Sequence, residues 1–251
     1  MILLNGQLID SEKTYLDSGF YFGRGLFETM LVRKKPVFLK EHLDRLNSGL
    51  QIISVNKKIT EEDVLAAVEK LKCEDCVLKL VVTDKNIIYT TRENNYTEQQ
   101  YKKGFSVKIS SIKKNQYSKI TYLKSLNYLE NILEHENSIK EGYNEVLFFN
   151  TNGNLAEGSV SNVFFIKDKK IYTPSISCGL LNGTVRKFIV NNYNVIEGNF
   201  DESNLMNADE IFLTNSIMGV MKISKICGKN IEDSIIVEDI RKEYEKHLSR
   251  Y

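Results

Sequence analysis

Between residues 39 and 53 the chain carries Leu39, Leu43, Leu46, Leu50 and Ile53 at spacings of four, three, four and three. That spacing puts one apolar stripe along one side of an α-helix, which must be buried against a partner surface. Alternating segments on either side supply it. Residues 2–9, 27–33, 77–83, 86–91 and 105–109 read as strands. A second helix is predicted from Thr60, an N-cap followed by Glu61, Glu62 and Asp63, whose charges suit the positive end of the helix dipole. A third runs from Ser125, with Leu126, Leu129 and Leu133 on one face, to about Lys140, ended by Gly142. Strands then resume over 145–150, 160–166, 170–172, 210–214 and 220–223, with a helix over 184–193. Residues 113–120 are polar and without period, so they are the expected connection between two lobes, 1–117 and 118–251. Strands and helices mix in both lobes, which gives an α/β or α+β fold class.

Composition excludes several functions. The 251 residues hold 34 Lys plus Arg against 33 Asp plus Glu, a formal charge of +1. This balance provides no field for a nucleic-acid backbone, so no nucleic-acid partner is expected. A hydrophobic fraction of 42% is that of a folded chain, and no apolar run reaches the roughly 18 residues of a membrane span. The first six residues, MILLNG, have no basic region and no long apolar stretch, so a cytoplasmic protein without a membrane partner is expected. The three histidines, His42, His135 and His247, are dispersed, and no metal site is expected. Cys73 and Cys76 form a single Cys-x-x-Cys pair with Glu74 and Asp75 between them. Without a second ligand pair or a helix opening behind it, the pair carries no expected redox or metal role.

Four segments carry candidate chemistry. Lys124 precedes the helix expected from Ser125, where the dipole would disfavour its protonated form. Glu157 lies between a tight turn and an apolar strand, followed by Gly158, Ser159 and Ser161, small residues that let a flat ligand approach the backbone. Gly179 to Arg186 is a glycine-containing loop opening a helix, where free N–H groups and the Thr184 hydroxyl make a phosphate site. Thr214-Asn215-Ser216 is a similar small-residue turn after a strand. Taken singly, each has an ordinary reading: a solvated lysine, a polar hairpin, a turn.

In order, the segments KSLNYLENIL, AEGSVSNVFF, GLLNGTVRKF and FLTNSIMGV resemble the signature segments of the class IV pyridoxal-phosphate enzymes. NGQLID, FGRGLFETM and His42-Leu43-Asp44-Arg45-Leu46, similar to the family's H-x-x-R-L element, extend the resemblance from about residue 3 to about residue 225. The resemblance implies a two-lobed fold type IV architecture like that of D-amino-acid aminotransferase, with a smaller N-terminal α/β lobe and a larger, barrel-like C-terminal lobe that binds pyridoxal 5'-phosphate. It also implies a homodimer acting on a small-molecule substrate. Residue by residue, Lys124 matches the Schiff-base lysine and Glu157 the acid paired with the pyridine nitrogen. Arg45 matches the arginine that reaches the phosphate. The Thr184 and Val185 amides, with Asn215 and Ser216, match the rest of the phosphate cradle. Leu181 lies where an apolar side chain meets the ring, and Phe27 where an aromatic residue lines the substrate side.

Two chemistries share this resemblance. In 4-amino-4-deoxychorismate lyase the lysine removes a ring proton, pyruvate leaves and 4-aminobenzoate for folate synthesis remains. In the aminotransferases of D-amino acids or branched-chain amino acids, the amino group passes to a 2-oxo acid. D-amino-acid aminotransferases carry a T-R-G-like element where this chain has Thr83-Asp84-Lys85, and no arginine stands there. Arg92, on the next strand, and Lys85 are the candidate substitutes for binding the substrate carboxylate. The short chain and the KSLNYLEN and LLNGTVR segments look more like the lyases, and the lyase is the expected activity.

Overall fold

The computed structural model describes residues 2–9, 14–231 and 235–251. By contact they fall into two units. One runs to Asn95 and takes back Leu123–Tyr128 and Tyr251; the other holds Tyr96–Tyr122 and Leu129–Arg250.

The first unit opens with a hairpin where a single strand was expected over 2–9. Strands β1 (Ile2–Leu4) and β2 (Gln7–Ile9) are joined by Asn5 and Gly6. Both turn residues have positive φ, 48° and 82°, the conformation that Asn-Gly adopts most readily between twisted strands. A short helix α1 (Ser18–Phe22) follows, its first N–H groups capped by the Asp17 carboxylate. Then come β3 (Gly25–Val32), α2 (Leu39–Ile52), α3 (Glu61–Lys70), β4 (Cys76–Thr83) and β5 (Ile87–Arg92). The sheet order is β2-β1-β5-β4-β3, with every neighbouring pair antiparallel. The predicted stripe on α2 buries Leu43, Leu46 and Leu50 against Met30, Leu78 and Leu80 of the sheet. Each such side chain contributes about 1.5–3 kcal/mol through burial. Thr60 and Asp63 form a reciprocal capping box on α3.

The Cys73–Cys76 pair departs from expectation: the two are joined in a disulfide. Lys72 and Asp75 both take positive φ, and that tight turn brings the two Cα atoms to 5.8 Å, within reach of a bridge.

The second unit contains α4 (Glu98–Lys103), β6 (Phe105–Lys114), α5 (Leu129–Lys140), β7 (Glu145–Asn150), β8 (Leu155–Gly158), β9 (Asn162–Lys167) and β10 (Lys170–Pro174). After these come α6 (Thr184–Asn192), β11 (Val195–Gly198), α7 (Glu202–Met206), β12 (Glu210–Asn215), β13 (Gly219–Ile226), β14 (Lys229–Asn230) and α8 (Ile235–Leu248). Its sheet, curled into a half-barrel, has the order β11-β10-β9-β12-β13-β6-β7-β8, with β14 added to β13. Strand β6 pairs in parallel with both β13 and β7, so residues 96–117 are part of this unit rather than of an N-terminal lobe ending at 117.

The helix expected from Ser125 begins only at Leu129. The reason is a competing ladder in the first unit: Phe27 N donates to the Lys124 carbonyl at 2.9 Å, and Leu126 N donates to the Gly25 carbonyl at 3.0 Å. Residues 124–126 therefore run extended beside β3. A Cβ on Gly25 would come within 2.8 Å of Leu126, Thr83 and Val82, so glycine permits this approach. On α5, Leu129 and Leu133 are exposed, and Asn131 and Ser138 face inward instead.

Candidate active site

In the first unit, the extended path of residues 124–126 aims Lys124 across β3. Its Nζ lies 4.4 Å from the centre of the Phe27 ring and 5.2 Å from that of Tyr128, and the two rings meet edge to face. The helix-entry argument for this lysine does not hold, because α5 starts five residues later. The amine sits instead against two aromatic faces on a half-buried backbone segment.

Next to it is a buried charge cluster. Glu28, on β3, is 1% exposed and accepts from Arg45 Nε at 2.8 Å, Arg45 Nη2 at 2.6 Å and His42 Nδ1 at 2.6 Å. Burial alone would raise the Glu28 carboxyl, but the Arg45 guanidinium and His42 overcome it and hold the group well below the usual carboxylate range. Burial lowers His42, the nearby cations Arg45 and Lys124 add to that, and Glu28 offsets only part. The net direction for the imidazole is downward; its Nδ1 faces Glu28, and its buried Nε2 has no hydrogen-bond partner among the described residues. Two of the three nitrogens of Arg45, the expected phosphate ligand, are thus engaged by Glu28.

In the second unit, Glu157 on β8 is 6% exposed. Its Oε2 accepts from Leu181 N at 2.9 Å, and its Oε1 lies 3.9 Å from Lys114 Nζ. Leu181 is fixed in turn, since Asn162 Nδ2 donates to its carbonyl at 2.8 Å. The loop behind Glu157 closes on a second buried carboxylate. Glu145 accepts from the backbone of Val146, Ser159 and Val160 and from the hydroxyls of Ser159 and Ser161. His135 Nδ1 stands 3.4 Å from Glu145 and 3.0 Å from Ser159 Oγ.

The start of α6 has the features of an anion site. Its N-cap, Gly183, has no side chain with which to cap the helix, and the buried Thr184 hydroxyl has no hydrogen-bond partner among the described residues. A Cβ on Gly183 would run into Asn162. Val185 is buried behind Thr184, and Arg186 turns away to the Pro174 carbonyl and Glu197. Asn215 differs from expectation: its side chain organises its own turn, accepting from Ile217 N and Met218 N, so any phosphate contact there falls to backbone or to Ser216. The buried carboxylate of Glu157 and the orphaned hydroxyl at an uncapped helix end fit the ring nitrogen and the phosphate of pyridoxal phosphate.

Lys124, Phe27 and Arg45 belong to the first unit; Glu157, Leu181, Thr184, Val185, Asn215 and Ser216 belong to the second. Arg92 is not brought to Lys124. It pairs with Val77, four residues along β5 from Ile88 in the Phe27–Val81–Ile88 row, a distance of about 13 Å at strand rise. Its Nη1 donates to the Glu93 carbonyl. The Thr83-Asp84-Lys85 turn is tied to the start of α1 and to the segment before it. Thr83 Oγ1 and Lys85 N donate to Asp17, Ser18 Oγ donates to Asp84, and Lys85 Nζ donates to the Leu16 carbonyl.

Sequence reasoning missed Glu28, Lys114, Asn131 and Glu145 as parts of these arrangements. Glu28 left a signal, a lone acid inside the apolar strand LFETMLV. Lys114 left none, because only cross-strand register brings it to Glu157.

Comparison with known proteins gives the family and the fold. Residues 25–226 match the family described as Amino-transferase class IV. The aminodeoxychorismate lyase of Bacillus subtilis is 29% identical over 90% of this chain and 86% of its own length. A D-alanine aminotransferase of Staphylococcus epidermidis is 26% identical over all of this chain and 98% of its own. The solved structure of 4-amino-4-deoxychorismate lyase from Pseudomonas aeruginosa superposes with a TM-score of 0.88 at 22% identity, over 99% of both chains, which establishes the shared fold.

Proposed function

The chain belongs to the class IV aminotransferase family of pyridoxal-phosphate enzymes, and from that premise we propose that it is a 4-amino-4-deoxychorismate lyase, releasing pyruvate and leaving 4-aminobenzoate for folate synthesis. When bound, pyridoxal phosphate supplies an aldehyde carbon that an amine can join and a ring that takes up electron density. Lys124 is the amine that holds the cofactor. Lys124 Nζ, held against the Phe27 and Tyr128 faces, would also be the base that takes the proton from the substrate carbon bearing the amine. Glu157 would hold a proton at the ring nitrogen, Leu181 would supply an apolar face, and Arg45, the Thr184 hydroxyl and amide, the Val185 amide, the backbone at Asn215 and Ser216 would hold the phosphate.

The observation that carries the choice of lyase is the 29% identity to the Bacillus subtilis aminodeoxychorismate lyase, with the KSLNYLEN and LLNGTVR segments pointing the same way. At the β4–β5 turn, where the resemblance to D-amino-acid aminotransferases implies an arginine, Asp84 and Lys85 are turned onto Ser18 and Leu16, a departure that weakens both readings unequally. We further read the chain as a cytoplasmic homodimer. Phe20, Tyr21 and Phe22 on α1, 60–77% exposed, are apolar side chains that a second copy would cover.

Two assays on one preparation test the proposal. Enzymatically made 4-amino-4-deoxychorismate is expected to yield 4-aminobenzoate and pyruvate. Amino transfer from D-alanine, L-glutamate or L-leucine with no 4-aminobenzoate would overturn the lyase in favour of an aminotransferase. Borohydride is expected to fix the cofactor covalently to Lys124, and a Lys124→Ala chain that retains equal colour after dialysis and reduction would remove the lysine from its role.

A further inference from the structure

Lys114 is a charged side chain, 9% exposed, at the inner end of β6. Register explains its surroundings. Lys114 pairs with Asn150 on β7, and Phe148, two residues back on the same face, pairs with Glu157 on β8. The ammonium therefore reaches across Phe148, 4.5 Å above its ring centre, to stand 3.9 Å from Glu157 Oε1. Asn131 Oδ1 accepts from it at 2.5 Å, and Asn131 Nδ2 donates to the Ser159 carbonyl in the loop behind Glu157. A buried ammonium is retained only where partners replace its hydration, and here an amide oxygen, a π face and a carboxylate do so.

We propose that Lys114 is a positioning residue for Glu157: its ammonium shares the carboxylate with the cofactor's ring nitrogen and so limits how tightly that nitrogen holds its proton. The inference rests on the assignment of Glu157 to the ring nitrogen made above. With Oε2 held by Leu181 N and Oε1 facing Lys114, the carboxylate has one orientation, and two positive groups draw on it once the ring nitrogen is protonated. Removing the ammonium leaves the full carboxylate charge to the ring nitrogen, which then holds its proton more strongly.

The test uses holoenzyme loaded with pyridoxal phosphate carrying 15N in the ring, and reads the nitrogen's titration by NMR. In Lys114→Met the midpoint is expected to rise by about one pH unit, a tenfold gain in proton affinity. Lys114→Arg is expected to return it to the wild-type value. A purely structural role predicts the opposite sign, since a loosened Glu157 would hold the ring proton less well. A midpoint that is unchanged or lowered in a folded Lys114→Met chain overturns the proposal. If that variant fails to fold, the wild-type chain labelled at lysine Nζ decides. The Lys114 resonance is expected to move as the bound ring nitrogen titrates, and a resonance that stays put overturns the proposal. A wild-type chain that takes up no cofactor instead sinks the reading of Glu157 itself.

Discussion

Arg45 lies along both oxygens of Glu28, Nε to Oε1 at 2.8 Å and Nη2 to Oε2 at 2.6 Å, with the carboxylate closed off from solvent. This two-point geometry distinguishes the pair from the surface bridges of the chain, such as Lys40–Asp44, which solvent and salt screen. Removing one member of a buried pair leaves the other uncompensated. Glu28→Gln is therefore expected to lower unfolding stability by about 3 kcal/mol, measured by urea denaturation of the cofactor-free protein.

The same pair sets an acid limit. Glu28 is held far below its unfolded value, so its contribution is complete above the unfolded carboxyl pKa of about 4.3 and fades as pH falls through the depressed folded value. Asp17 and Glu145 are depressed in the same direction. The urea midpoint of the wild-type chain is expected to fall steadily below about pH 5. Glu28→Gln should give a shallower decline, and equal slopes for the two proteins would contradict the assignment.

His135 works with the opposite sign. Its hydrogen bond to Glu145 raises it, burial opposes that, and the Glu145 charge adds to the rise. A raised base stabilises the fold fully below its unfolded value of about 6.5, and the contribution disappears as pH climbs through the higher folded value. The difference in melting temperature between wild type and His135→Gln is therefore expected to be larger at pH 6 than at pH 9.

Thr60 caps α3 through Asp63 N, and Asp63 returns a bond to Thr60 N. Thr60→Ala is expected to cost about 1 kcal/mol, seen as a lower urea midpoint with the m-value unchanged.

Gly219 opens β13 at a φ of 68°, and a Cβ there would come within 2.5 Å of the buried Tyr244 ring on α8. Gly219→Ala combines left-handed strain with displacement of that ring, and the expected loss is about 2 kcal/mol or more. Faster amide exchange in α8 than in α2 would locate the damage.

What could be read in advance followed the reach of local rules. The α2 stripe and the Thr60 cap involve residues within a few positions of each other, and both elements lie where the spacing puts them. The Asn5-Gly6 turn was equally local, and reading residues 2–9 as one strand overlooked it. Residues 124–128 failed for another reason. Leu126, Leu129 and Leu133 have helical spacing, but the partner that wins Lys124 and Leu126 is β3, nearly 100 residues earlier. Charged neighbours were the least legible. Arg45 was visible by resemblance, while Glu28, its ion-pair partner, and Lys114, beside Glu157, depend on register and topology that no window contains.

The position of β6 between β13 and β7 has a consequence during synthesis. Phe105 leaves the ribosome long before Ile223, its parallel partner, exists. Until then one edge of β6 offers unsatisfied N–H and C=O groups to any passing strand. A nascent chain stalled before β13 would carry a largely assembled first sheet beside an adhesive, half-built second one, and such fragments are the species that a chaperone would be expected to hold.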